Sequence, residues 1–240
     1  GGAHASAAPA PAITLTYGGG RMRPAWFAVF AGLILAVQAV VLLVQEGFAA
    51  AGIDLATPAG DALDASMGSL SMVLYADLVG PVVEEVVFRG LLMHGLRPLG
   101  RVFAIVTSAA MFGLYHDDLV QGLFAFGAGL MLGFVAMEYS LFWAIALHVC
   151  NNALLSDALG RLIAPFGATG ETVGGWVVVA VGLAALVVVL VRYGSGLRAY
   201  VRAHRAAPGT HWAWTNGWFL AYVIVNAALT AGSFALAMTA

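Results

Sequence analysis

Residues 81–93 read PVVEEVVFRGLLM, and the adjacent carboxylates of Glu84 and Glu85 interrupt an otherwise apolar run, with Arg89 close behind them. Charged side chains are costly at the depth of a lipid bilayer. Where they occur they usually face the interior of a helix bundle and mark a site or a pathway. We therefore expect this segment to be a buried helix whose acidic residues find polar partners on other helices.

The composition indicates that the whole chain is an integral membrane protein. Of its 240 residues, 62% are hydrophobic and only 9% are charged, whereas a soluble domain carries roughly a quarter charged residues. All ten basic residues are arginine, and the net charge is −2. We expect the lipid bilayer, and no nucleic acid, as the environment of this chain, and the arginine-only, alanine- and glycine-rich composition favours a bacterial inner membrane.

Seven segments are apolar enough to form membrane helices. They are residues 25–44, 69–96, 102–116, 119–137, 141–155, 173–191 and 216–238. Between the first two, residues 45–68 contain glycine and proline breaks and are predicted to form a loop, with an eighth helix there as the alternative. The predicted fold is therefore an all-α polytopic membrane bundle, with residues 1–22 as a flexible tail and 23–240 as a single membrane-embedded domain.

The positions of the arginines agree with seven spans and a cytoplasmic N-terminus. In that topology, eight arginines fall on the cytoplasmic side, namely Arg21, Arg23, Arg97, Arg101, Arg192, Arg198, Arg202 and Arg205. The opposite loops are acidic and contain one basic residue, Arg161. This distribution follows the positive-inside rule.

The second predicted helix divides its two glutamates between two directions. Glu85 and Arg89 are four residues apart, with the acid N-terminal to the base, which is the favourable order for a helical ion pair. Glu84 points about 100° away, because a helix turns by that angle per residue. We therefore expect Glu85 to pair with Arg89 and Glu84 to remain available for other partners.

Two further helices carry polar residues at helical spacing. Phe112 and His116 share one face of the third helix, and His148 and Asn152 share one face of the fifth. Counted from the cytoplasmic ends, Glu84 lies roughly 16 Å deep, His116 roughly 22 Å, His148 roughly 12 Å and Asn152 roughly 18 Å. Helix tilts absorb such differences, so the four polar side chains are predicted to converge on one site.

The patterns EExxxR at 84–89, FxxxH at 112–116 and HxxxN at 148–152 occur in this order on the second, third and fifth predicted helices. This series resembles the CPBP family of intramembrane proteases, also called the CAAX-protease and bacteriocin-processing or Abi family. The resemblance covers about residues 80–155, and the three motifs in order are more specific than any one of them. It implies an intramembrane endopeptidase with a catalytic core at about 69–157 and a membrane-associated protein or peptide as substrate.

The resemblance also implies roles for individual residues. Glu84 would act as general base on a water molecule that His116 helps to hold. His148 and Asn152 would stabilise the oxyanion of the tetrahedral intermediate. The resemblance adds a supporting set around these four, which consists of Glu85, Arg89 and Phe112. No residue is predicted to act as a covalent nucleophile.

Metal dependence and non-catalytic functions remain as alternatives. Two histidines and a carboxylate can hold a catalytic Zn²⁺, but HxxxN offers one good ligand where HExxH offers two, which favours metal-free chemistry. We therefore expect no cofactor and no metal ligands, with zinc as the alternative. A membrane scaffold or bacteriocin-immunity protein on the same fold is the alternative function, and a proton-coupled transporter is a third.

Overall fold

The computed structural model describes residues 18–55 and 57–237, so most of the predicted tail at 1–22 lies outside the described residues. Within these ranges all regular structure is helical and no strand occurs, which confirms the all-α prediction. The helices are α1 (Pro24–Ala50), α2 (Pro58–Ser66), α3 (70–96), α4 (Arg101–Leu114), α5 (Leu119–Glu138), α6 (141–163), α7 (Gly167–Ala203) and α8 (Gly217–Ala237).

Residues 45–68 differ from their prediction as a loop. Helix α1 continues to Ala50, and the nine residues of α2 occupy most of the rest. Helix α2 begins with a proline, whose missing N–H would have no partner in a first turn, and carries Asp61 near its positive N-terminal end. At about 1.5 Å per residue, α2 is too short to cross a bilayer.

Within the part of the chain that the structure describes, four helical runs are long and apolar enough to cross a membrane, namely Pro24–Ala50, Leu119–Glu138, Leu141–Ala203 and Gly217–Ala235. The 63-residue run Leu141–Ala203 would measure about 95 Å if it were straight. It instead bends at Gly167, whose φ of 59° lies in the left-handed region. The chain is thus compatible with an integral membrane protein, and the count of about seven spans stays a prediction.

Glu138 joins several chain segments at one end of the bundle. Its carboxylate accepts a hydrogen bond from Arg101 at 2.9 Å and another from the hydroxyl of Tyr200 at 2.6 Å, and its carbonyl accepts the N–H of Gly20 at 3.2 Å. The start of α4, the end of α5, the end of α7 and the chain before α1 therefore meet there. Tyr200 lies near the end of α7 and contacts Glu138, which lies just before the start of α6. The end of α7 is therefore close to the start of α6, so the two helices run in opposite directions.

Close packing of α1 against α7 depends on Gly182. A Cβ atom at this position would lie 2.5 Å from the carbonyl oxygen of Leu35 and 2.9 Å from the Cα of Ala36. Both are backbone atoms of α1, so no side-chain rotation could relieve the contact. Small residues allow membrane helices to approach in this way, and van der Waals packing is a main force between them.

We expect Gly182→Ala to destabilise the protein by about 1–3 kcal/mol, the usual cost of overpacking. Thermal unfolding in detergent micelles measures the change. The matched control is Gly175→Ala on the same helix, where a Cβ would meet nothing within 4 Å and the Tm should be unchanged or raised. Equal Tm values for the two variants would contradict this account of the α1–α7 contact.

Candidate active site

Three π-helical stretches surround the predicted site residues. They are Tyr75–Val79 and Val86–Leu92 in α3, on either side of Glu84 and Glu85, and Cys150–Ala158 in α6, which contains Asn152. A π turn adds one residue to the helical turn and shifts the side chains that follow, and such bulges are frequent at functional sites. The spacing of the EExxxR, FxxxH and HxxxN motifs does not predict these π turns.

The predicted ion pair between Glu85 and Arg89 is present. Arg89 Nη1 lies 2.8 Å from Glu85 Oε1, and both side chains are fully buried. The guanidinium also lies over the Phe112 ring, with its Cζ 4.3 Å from the ring centroid, and donates to the carbonyl of Gly129 on α5 at 3.4 Å. Arg89 therefore neutralises Glu85 and links α3 to α4 and α5.

His148 contacts both glutamates. Its Nδ1 lies 2.9 Å from Glu85 Oε1, and its Nε2 lies 3.7 Å from Glu84 Oε2. Because an ionised carboxylate can only accept, Nδ1 carries a proton that it donates to Glu85, and this contact fixes the orientation of the ring. Glu85 is thus more than the partner of Arg89, since it also holds the histidine of α6.

His116 is oriented by the backbone of its own helix. Its Nδ1 donates to the carbonyl of Phe112 at 2.9 Å, and the two rings meet edge to face with centroids 4.9 Å apart. With the proton on Nδ1, Nε2 of a neutral ring can only accept a hydrogen bond. His116 therefore offers a proton acceptor rather than a donor at its outer nitrogen.

Asn152 is held by two hydrogen bonds. Its amide nitrogen donates to the carbonyl of Ala76 on α3 at 3.0 Å, and its oxygen accepts from the amide of Asn151 at 3.0 Å. Sequence reasoning missed Asn151, which is buried and occupies the last variable position of the HxxxN motif. Its adjacency to Asn152 was the only signal in the sequence.

A cavity of about 830 Å³ brings the predicted residues together. Glu84, His116, His148 and Asn152 all line it, and so does Phe112. Glu85 and Arg89 lie behind this wall, fully buried. The lining also includes three charged residues that the sequence reasoning did not assign to the site, Asp77, Asp157 and Arg161. The predicted convergence of the four polar side chains on one site is therefore present.

The Asp117-Asp118 pair next to His116 has a structural explanation. Asp118 is the N-cap of α5, and its carboxylate accepts the backbone N–H groups of Val120 and Gln121, both at 3.0 Å. Asp117 has a φ of 51°, in the left-handed region that Asp tolerates better than most residues. Burial raises the pKa of the Asp117 carboxyl, and the neighbouring His116 opposes this shift.

Ser108 is a buried residue of α4. Its hydroxyl donates a hydrogen bond to the carbonyl of Phe88 on α3 at 2.8 Å. It therefore ties α4 to α3.

Among residues 18–55 and 57–237, no group of three or more His, Cys, Asp or Glu side chains is arranged to hold a metal ion. His148 directs its Nδ1 to Glu85, and His116 directs its Nδ1 to the Phe112 carbonyl.

Replacement of the buried Arg89 should lower the free energy of unfolding far more than replacement of an exposed arginine. We expect Arg89→Met to cost about 3–5 kcal/mol, because it leaves the Glu85 carboxylate buried without its cation. The matched control is Arg161→Met, which breaks an i,i+4 pair with Asp157 of similar length, 2.7 Å, in which the arginine is 55% exposed. That change should cost no more than about 1 kcal/mol.

Chemical unfolding in detergent measures both variants. As a further control, Glu85→Gln combined with Arg89→Met removes both charges, and it should be more stable than Arg89→Met alone. Similar losses for the Arg89 and Arg161 variants would mean that burial does not govern the strength of the Glu85–Arg89 pair.

Comparison with known families agrees with the motif reading. Residues 66–154 match the model of the family described as type II CAAX prenyl endopeptidase Rce1-like. This match confirms the predicted family resemblance and spans all three motifs. The matched segment is thus similar to a family described as CAAX prenyl endopeptidases. No significant match was found among the curated proteins or the solved structures.

Proposed function

We propose that this protein is an intramembrane endopeptidase that hydrolyses a peptide bond of a membrane-associated substrate with a water molecule activated by Glu84. The observation that carries the proposal is the shared cavity, in which Glu84, His116, His148 and Asn152 converge from three helices. A cavity with few convergent polar groups and mainly apolar walls is typical of a ligand or active site. The family match of residues 66–154 supports the same reaction class.

Glu84 and His116 would together hold the attacking water. A carboxylate oxygen and the unprotonated Nε2 of His116 are both acceptors. A water molecule between them would donate both of its hydrogens and direct a lone pair toward the substrate carbonyl. As the oxygen–carbon bond forms, Glu84 would take one proton, and it would return this proton to the leaving amine when the carbon–nitrogen bond breaks.

His148 and Asn152 would stabilise the oxyanion that forms in the first step. Asn152 has a second amide hydrogen besides the one bonded to Ala76. Since His148 Nδ1 already donates to Glu85, Nε2 can donate only when the ring carries both protons. In that doubly protonated form the ring would also balance the developing negative charge.

The proposed orientation places the N-terminus in the cytoplasm of a bacterium and has seven membrane crossings. The contacts of Glu138 support it, because they gather the start of α4 and the ends of α5 and α7 at the end of the bundle that contains Arg97 and Arg101. Basic residues concentrate on the cytoplasmic side of membrane proteins. The substrate bond would accordingly be cleaved near or within the membrane.

Glu84→Gln should reduce kcat by about 10²–10⁴-fold, the range of a lost general base, while the KM changes little. The assay would use the purified protein in proteoliposomes with internally quenched peptides, each attached to a farnesyl chain or a transmembrane anchor. Glu171→Gln, an exposed glutamate of α7, is the matched control and should retain full activity. Undiminished cleavage by Glu84→Gln would refute the mechanism, and cleavage by neither the wild type nor the control would favour a non-catalytic scaffold.

Removal of metal ions should leave the activity intact. We expect the same kcat after exhaustive dialysis against chelators, with no stoichiometric metal detected by elemental analysis, because the HxxxN motif at 148–152 supplies one good metal ligand where an HExxH motif supplies two. Loss of activity that is restored by Zn²⁺ alone would instead establish the zinc alternative.

A further inference from the structure

We infer that Pro81 is a positioning residue for the site, because it leaves the carbonyl of Ala76 free to orient the amide of Asn152. This inference rests on the proposed function, in which the Asn152 amide faces the oxyanion. Pro81 lies on α3, one turn before Glu84, and the amide that it positions belongs to Asn152 on α6.

The backbone hydrogen bonds of α3 leave Ala76 without a helical donor. In an ordinary α-helix the carbonyl of Ala76 would accept from the N–H of Gly80, but that N–H bonds to the carbonyl of Tyr75 in the π-helical stretch. In the π register the donor to Ala76 would be residue 81. Residue 81 is proline, which has no N–H.

Asn152 supplies the missing donor from another helix, with its amide nitrogen 3.0 Å from the Ala76 oxygen. A backbone carbonyl without a partner costs several kcal/mol in the hydrocarbon region, and neighbouring helices restore the bonds that a membrane proline removes. The contact therefore stabilises the pairing of α3 with α6. Because residue 81 is proline, no N–H at that position competes with Asn152 for this carbonyl.

The same contact decides which end of the Asn152 amide faces each partner. A carbonyl accepts only, so the NH₂ group must face Ala76, while the oxygen faces the Asn151 amide at 3.0 Å. Asn152 lines the cavity, and its second N–H is the donor that remains for a ligand. If the amide rotated by 180°, its oxygen would take the place of the NH₂ group and would repel an oxyanion.

The test is Pro81→Ala, which adds an N–H that can bond to Ala76 within the helix. We expect kcat to fall about tenfold or more, a part of the roughly 10²–10³-fold effect of losing one oxyanion donor, with an unchanged KM. The Tm should stay equal or rise, since the helix gains a hydrogen bond. A merely structural proline would lose stability and activity together.

Two controls isolate the missing N–H as the cause. Lactic acid at position 81, introduced by nonsense suppression, has the side chain of alanine but an ester oxygen in place of the N–H, and it should restore kcat. Pro24→Ala changes a proline in the first turn of α1, where the added N–H has no carbonyl within the helix to bond to. This variant should leave kcat, KM and Tm unchanged.

An infrared measurement tests the Ala76–Asn152 bond without reference to activity. With a ¹³C=¹⁸O label at Ala76, Asn152→Ala should shift the labelled amide band to higher frequency. The control Asn226→Ala, which removes an amide bonded within α8, should leave the band unchanged. An unshifted band in Asn152→Ala would overturn the inference.

The kinetic outcomes separate this inference from the proposed function. If Pro81→Ala keeps its kcat while Asn152→Ala loses it, the positioning role of Pro81 is wrong and the proposed function stands. If both variants keep full activity, the oxyanion role of Asn152 is wrong as well, and the inference fails with it.

Discussion

The structure depends on one buried carboxylate, that of Glu85, which has no access to solvent. A bare charge at this depth would be prohibitively costly, and a charged residue in a membrane interior needs partners that remain in place. Glu85 has two: Arg89 at 2.8 Å and His148 at 2.9 Å. Because Arg89 also contacts Phe112 and the Gly129 carbonyl, the carboxylate sets the relative position of α3, α4, α5 and α6. The Glu85 carboxylate, which lies behind the cavity wall, therefore positions the helices that line the cavity.

The polar side chains of the cavity are oriented by hydrogen-bond acceptors that cannot change their role. The Phe112 carbonyl fixes the proton of His116, the Glu85 carboxylate fixes that of His148, and the Ala76 carbonyl fixes the amide of Asn152. These contacts leave Nε2 of each histidine and the second amide N–H of Asn152 as the groups available in the cavity. Such preorganisation matters most where water is scarce, since few solvent dipoles can correct a wrongly turned donor.

The sequence predicted those parts of the site that depend on spacing along one helix. The Glu85–Arg89 pair follows from a separation of four residues, and the convergence of Glu84, His116 and His148 follows from their depths. The contact of His148 with Glu85 could not be predicted, because it depends on the rotation of α6 about its axis. The π turns and the Ala76–Asn152 bond were missed because they involve backbone groups, for which Pro81 is the only sequence signal. Helix α2 was missed because its short, alanine-rich sequence lies between glycine and proline breaks that are typical of a loop.

The two adjacent glutamates have opposite physical requirements, and a helix can meet both only because neighbouring residues point about 100° apart. A structural charge needs saturated partners and complete burial, which Glu85 has. A general base must take up a proton and release it again during each turnover, so its carboxylate needs access to water and no strong permanent cation. Glu84 is 23% exposed in the cavity, and its ion-pair contact is a histidine at 3.7 Å, longer than a hydrogen bond. If the two residues exchanged environments, the base would be held ionised by Arg89 and the structural charge would be exposed to water. The adjacency of the acids thus lets one helix place an immobile charge and the proposed general base within a single turn.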